Sequence, residues 1–238
     1  MSPVMVIVRR ELSSYFDSLI AYLILVAFLG FTGFFTWMNS NADVFFRNQA
    51  DLSVFFGVAK WTLFFFIPAI TMRQLAEEKR SGTIELLLTK AITNRQLIFG
   101  KFLSCFLMIA IAILFTLPYY FTVAKLGNID HGATISGYFG LLLMSAAYIS
   151  IGLFASSITN NQIVAFLLAL FISIFFQFLF DVMASGQSGF LAGLLNTLSV
   201  SYHFDSISRG VVDSKDLVFF ASIIGLGLVL SELVISKR

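Results

Sequence analysis

Few side chains in this 238-residue chain are equipped for covalent or acid–base chemistry. There are two histidines, His131 and His203, and one cysteine, Cys105. The sequence holds no His-Glu-x-x-His zinc motif, no Gly-x-Ser-x-Gly elbow and no Gly-x-x-x-x-Gly-Lys-Ser/Thr phosphate loop. Nothing in it could cradle the phosphates of ATP. The histidines fall in segments read as outer loops, and each reads as a surface residue. Cys105 lies in an apolar stretch, reads as a small filler, and cannot form an intrachain disulfide. The chain is therefore read as non-catalytic, with no metal or cofactor of its own and no nucleic-acid partner.

The chemistry that remains is electrostatic and concerns docking. Arg73–Lys101, RQLAEEKRSGTIELLLTKAITNRQLIFGK, is an island of charge between long apolar segments. It holds six of the fifteen basic residues and three of the thirteen acids. Inside it stands Ile84-Glu85-Leu86-Leu87-Leu88, opened by Ser81-Gly82-Thr83. A soluble loop between two membrane spans has no need of such a run. A short helix that presses its apolar face into another protein does. Arg73/Glu77 and Glu77/Arg80 are spaced to form ion pairs on one helix face, beside Glu78 and Lys79. Gly82 permits a sharp turn, after which Thr83 can cap a helix over Ile84–Thr89. That geometry makes a lever: a push on the short helix tilts the spans on either side.

The elements that position this island must cross a membrane. The chain is 58% hydrophobic and only 12% charged, against about 25% charge in soluble domains. Ser18–Ala42 runs 25 residues without a charge, Phe102–Ala124 runs 23 and Gly132–Phe180 runs 49. A span takes about 20 apolar residues, so the longest run holds two. The reading is an all-α integral membrane protein, one transmembrane domain over 1–238. Its six spans lie at about 16–38, 52–72, 97–123, 135–157, 162–180 and 217–235. Val182–Asp216 is read as a longer loop of mixed character. Ser2-Pro3 opens a short N-terminal helix with Val4, Val8, Leu12 and Tyr15 on one face and Arg10, Ser13, Ser14 and Asp17 on the other. It is read as interfacial, with Arg9, Arg10 and Glu11 at headgroup level. Thr93-Asn94-Arg95-Gln96 reads as a capping box opening the third span. Small residues on the fourth span (Ser145, Ala146, Ser150, Gly152, Ala155, Ser156) and Gly225 and Gly227 on the sixth mark helix contacts, within the chain or at a dimer seam.

Lys60 falls inside the second span, because Trp61–Met72 alone is too short to cross. It either snorkels to the outer surface or faces a polar path or subunit seam. Lys and Arg set the orientation. Ten lie in the N-terminal segment, the island and the tail, and four in the opposite loops. Both termini and the island are read as cytoplasmic.

Glu77-Glu78-Lys79-Arg80-Ser81-Gly82-Thr83-Ile84-Glu85-Leu86-Leu87-Leu88-Thr89, with Gly100-Lys101 beyond, resembles the signature that follows the second span in permeases of the ABC-2 exporter family. The family usually has Pro soon after the leucines, where this chain has Ala91-Ile92. Ser201–Ser214 (SYHFDSISRGVVDS) resembles the loop before the sixth span in a narrower group, the gliding-motility permeases of Bacteroidota. The resemblance implies a non-catalytic subunit of a bacterial inner membrane. It would pair with a second membrane subunit (of the GldG type in the narrower group, or another copy) and with cytosolic ATPases (of the GldA type) that bind ATP and magnesium. The family's coupling helix would map onto Thr83–Thr89. A mechanotransmission or anchoring subunit would use the same lever without cargo. A secondary transporter or channel needs ionisable residues in the spans, and Lys60 is the one clear case.

The orientation has a direct test. Accessibility tags at Asn39 and Gly186 should report outside and a tag at Gly82 inside; an outside signal at Gly82 overturns it.

Overall fold

The computed structural model describes residues 2–38, 44, 50–83 and 92–237. The island's centre, Ile84–Ala91, and most of the loop at 39–49 lie outside the described residues.

Every regular element among the described residues is a helix: α1 (Pro3–Phe16), α2 (Leu19–Trp37), α3 (Ser53–Arg80), α4 (Asn94–Leu114), α5 (Leu117–Leu126), α6 (His131–Ile158), α7 (Gln162–Ile174), α8 (Phe180–Ser185), α9 (Phe190–Asn196), α10 (Val200–Ser208) and α11 (Ser214–Ser236). Five helical stretches are long and apolar enough to cross a membrane: α3, α4 with α5, α6, α7 through α8, and α11. Counted together as one broken span, the pair formed by α1 and 21–37 of α2, bent by 72°, brings the number among the described residues to six. That bend fits an α1 that lies along the surface while α2 crosses. The chain is an all-α integral membrane protein.

Local sequence explains where the helices start. Pro3 occupies the first turn of α1, where its missing N–H costs nothing. Thr93 and Gln96 form the reciprocal capping box at α4. Asp130, Asn161, Ser199 and Asp213 cap α6, α7, α10 and α11 through their side chains. The third crossing breaks at Phe115–Thr116, and Pro118 falls in the first turn of α5, where its missing N–H costs nothing, whereas Pro68 stands inside α3. Between α7 and α8, Phe175–Leu179 forms a π turn that carries the buried Gln177. The loop expected between the last two spans contains α9, with Leu191, Leu194 and Leu195 at helical spacing, and α10.

The core is organised around α6, which is buried along most of its length and packs on α3, α7, α10, α4 and α11. Lipid tails are as apolar as leucine, so close packing rather than water exclusion must hold these helices together. Glycines provide the closeness. A Cβ on Gly152 would stand 2.0 Å from Thr71 Oγ1 of α3, and one on Gly227 of α11 would stand 2.7 Å from Ser150 Oγ. The small residues Gly152 and Gly227 thus pack within the chain, whereas a Cβ on Gly225 would meet nothing within 4 Å.

Gly227→Leu should destabilise the fold by about 1–3 kcal/mol through overpacking, while Gly225→Leu should leave stability within about 0.5 kcal/mol. Cys105 is buried and is the chain's one cysteine. Its reaction with a thiol-specific dye on heating measures both variants.

Candidate coupling site

The site begins with Lys101, two turns into α4 and only 1% exposed. An ammonium taken out of water costs several kcal/mol unless it is paired. Lys101 Nζ lies 2.8 Å from Glu78 Oε1 on α3 and 3.4 Å from Glu11 Oε1 on α1. Arg10 closes the group from α1, with Nη2 at 2.6 Å from Glu11 Oε1 and 3.3 Å from Glu78 Oε1. Two cations and two carboxylates therefore tie three helices together. Ile7 seats α1 beside them, because a Cβ on Gly100 would lie 2.8 Å from its Cγ2. Burial alone would raise the Glu11 carboxyl, but Lys101 and Arg10 outweigh it and hold the group below its ordinary value.

The last turns of α3 are anchored on their other side by α6 and α7. Ser156 Oγ donates to Met72 O at 3.0 Å and lies 3.1 and 3.0 Å from the backbone N of Leu75 and Ala76. Lys79 Nζ donates to Ser157 O. Arg73 Nε donates to Gln162 Oε1 at 3.1 Å, and Gln162 donates to Glu77. These contacts correct the expected Arg73/Glu77 and Glu77/Arg80 pairs: Gln162 at the start of α7 takes both Arg73 and Glu77, because α7 packs along that face of α3. Gln74 donates to the Tyr15 hydroxyl, which lies 3.3 Å from Cys105 Sγ.

Beyond Arg80 the helix closes on Ser81, whose Oγ donates to Glu77 O at 2.9 Å. Gly82 adopts φ +71, the left-handed conformation that reverses the chain there. Thr83 follows with its hydroxyl 2.9 Å from Ser81 Oγ. Ile84, Glu85, Leu86, Leu87, Leu88 and Thr89 lie outside the described residues. The structure thus brings Arg10, Glu11, Glu78 and Lys101 into one cluster and sets Arg73, Glu77 and Lys79 on neighbouring contacts. Arg9 and Arg80 stand exposed at its edge.

A second polar group occupies the far end of α3. Lys60 Nζ lies 2.9 Å from Asp205 Oδ1 and 3.2 Å from Ser201 Oγ, both on α10, and 5.5 Å from the Phe204 ring. Lys60 therefore holds a neighbouring helix instead of reaching alone to the surface. Gln177 Nε2 donates to the same Ser201 Oγ at 3.1 Å, and the Tyr148 hydroxyl donates to Gln177. His131 is exposed, but the surface reading of His203 is corrected. It is 2% exposed, with Nδ1 2.6 Å from Asp216 Oδ1, Nε2 3.1 Å from Thr197 O, and its ring stacked 4.0 Å from that of Phe219. Sequence reasoning missed Asp205, Asp216 and the partners of Lys101. The available signal was a demand for charge: Lys60 and Lys101 adjoin apolar segments and each requires a carboxylate. Among the described residues no three His, Cys, Asp or Glu side chains converge as metal ligands would.

A helical bundle of this kind, with charge confined to its ends and to helix junctions, is a multi-pass membrane protein. A family model described as ABC-2 family transporter protein matches residues 5–208, and the chain belongs to that family. It is thus a membrane permease of an ABC transporter, a class of transport component that is generally non-catalytic and works with an ATPase partner and a membrane subunit. No curated protein matches it.

The lowered Glu11 carboxyl fixes a pH dependence. Its contribution is complete above its ordinary value of 4.5 and is lost as pH falls below that toward the folded-state value. Thermal unfolding of the wild type, followed by circular dichroism, should therefore shift to lower temperature below pH 4.5. In Glu11→Gln that acid-dependent shift should shrink, with stability at neutral pH already reduced.

Proposed function

We propose that this chain is a permease of the GldF type, which couples ATP hydrolysis in a separate ATPase to helix movement in an export complex serving gliding motility and its associated secretion. The observation that carries the coupling part is the cluster Arg10–Glu11–Glu78–Lys101, which joins α1, α3 and α4 beside the island. A displacement applied between Thr83 and Thr89 enters α3 and α4 at their tied ends. α3 is one continuous helix of 28 residues, with Pro68 in its interior, and it carries the displacement along its length. The displacement arrives at Lys60, where α3 holds α10.

The motility part rests on Ser201–Ser214, whose residues resemble the loop of that narrower group. On this reading the chain sits in a bacterial inner membrane with both termini cytoplasmic. It assembles with a GldA-like ATPase and with a GldG-like membrane subunit or a second copy of itself. Leu86 and Leu87 enter a groove of the ATPase, and Glu85 meets its basic rim. A force-transmitting subunit without cargo would share this lever, and a wide cavity between paired subunits would separate the two.

A mild-detergent pull-down of the tagged chain tests the proposal. A stoichiometric ATP-binding subunit with ATPase activity should copurify and be lost in Leu86→Asp/Leu87→Asp, while Cys105 stays protected. Retention of the ATPase by that variant, or a wild-type chain that purifies alone, would overturn it.

A further inference from the structure

At the Lys60 end of the bundle, two hollows meet along one edge of α3. The first is a cavity of 640 Å³ between α3, α6 and α10, with Asp51, Asp130, Asp181, Asp205 and Arg209 in its wall. The second is a groove of 660 Å³ between α2 and α3, lined by Phe31, Phe35, Trp61 and Phe65 and almost devoid of polar surface. Each has the size of a small-molecule site, about 300–1,000 Å³. Both are walled by Ser53 and Gly57. Gly57 is the sill between them, and a Cβ placed on it would meet nothing within 4 Å. A polar cavity thus opens past a side-chain-free sill into an apolar groove.

One molecule that fits both is an amphiphile with its head in the cavity and a chain in the groove. The charges select the head. Asp205 is paired with Lys60, Asp51 accepts hydrogen bonds from Ser53, and Asp130 caps α6. Asp181, half-buried in the wall, has no hydrogen-bond or ion-pair partner among the described residues. Arg209 is exposed at the rim, its Nε on Asp205 O at 2.9 Å. Four carboxylates against Arg209 and Lys60 leave an excess of negative charge. An ammonium beside Asp181 relieves that excess, and a phosphodiester can reach Arg209. A purely anionic head would add to it. The groove faces outward, with Phe31, Trp61 and Phe65 each 42–53% exposed, and a tryptophan near the boundary suits a lipid's glycerol level.

We infer that this end of the protein binds a membrane phospholipid with an amine-bearing head, of the phosphatidylethanolamine kind, with the head in the aspartate-walled cavity and an acyl chain in the α2–α3 groove. The inference stands apart from the coupling reading, because lipid binding is measured with no ATPase present.

The test reconstitutes the full chain in phosphatidylcholine vesicles doped with phosphatidylethanolamine that carries a photoreactive group on its acyl chain. Labelling should map to the groove residues of α2 and α3. Unlabelled phosphatidylethanolamine should compete and phosphatidylglycerol should not. Gly57→Trp, which fills the sill, should cut the labelling about tenfold. Asp181→Asn, which keeps the shape but removes a charge-assisted bond, should cut it about tenfold or more. If phosphatidylglycerol competes equally, or if labelling survives both variants with Cys105 still protected, the inference is overturned. Should Gly57→Trp expose Cys105, Asp181→Asn decides alone.

Discussion

Lys101 places a positive charge where almost no water reaches it, and the arrangement of that end of the bundle follows from the need to neutralise that charge. One carboxylate comes from the end of α3 and another from α1, which also contributes Arg10 to balance the pair. α1 is short and amphipathic, and could lie on any bilayer surface. The charge cluster and the Ile7–Gly100 contact give it one place. A helix that would otherwise float on headgroups becomes part of the same rigid body as α3 and α4. Replacing such a buried cluster by apolar residues can be neutral for stability, so its value lies in fixing which helices move together.

The opposite end of α3 repeats the logic with weaker means. Lys60 is partly exposed and its partner Asp205 more so, so the pair itself contributes little. It is embedded, however, in a chain of hydrogen bonds through Ser201 and Gln177 to Tyr148 on α6. Gln177 is buried in the π turn between α7 and α8, within hydrogen-bond reach of Ser201. α3 is therefore held by buried charge at its Glu78 end and by adaptable polar contacts to α10 at its Lys60 end.

How much of this was legible in the sequence depended on the range of the interaction. Charge-free runs revealed the crossings because bilayer thickness dictates their length. Caps such as Thr93 and Gln96 were visible because they act within four residues. Gly82 was readable as a turn for the same reason. Contacts between distant segments were not readable. Gln162 intercepts Arg73 and Glu77 from 89 and 85 positions away, so an i,i+4 rule misassigned both. His203 looked like a loop residue because no local pattern announces that α10 tucks under α11 and delivers it to Asp216. Lys60 and Lys101 were conspicuous, yet sequence alone could not choose among thirteen acids for their partners.

The length of α3 carries one more consequence. At about 1.5 Å per residue its 28 residues extend about 42 Å, against about 30 Å of hydrocarbon. The surplus is the segment that bears Glu77, Glu78 and Lys79, whose charges oppose any slide of the helix into lipid. Hydrophobic mismatch is then met by tilting or by bending at Pro68. A thicker bilayer draws α3 upright and a thinner one leans it over, so lipid composition sets the resting angle from which any partner has to start.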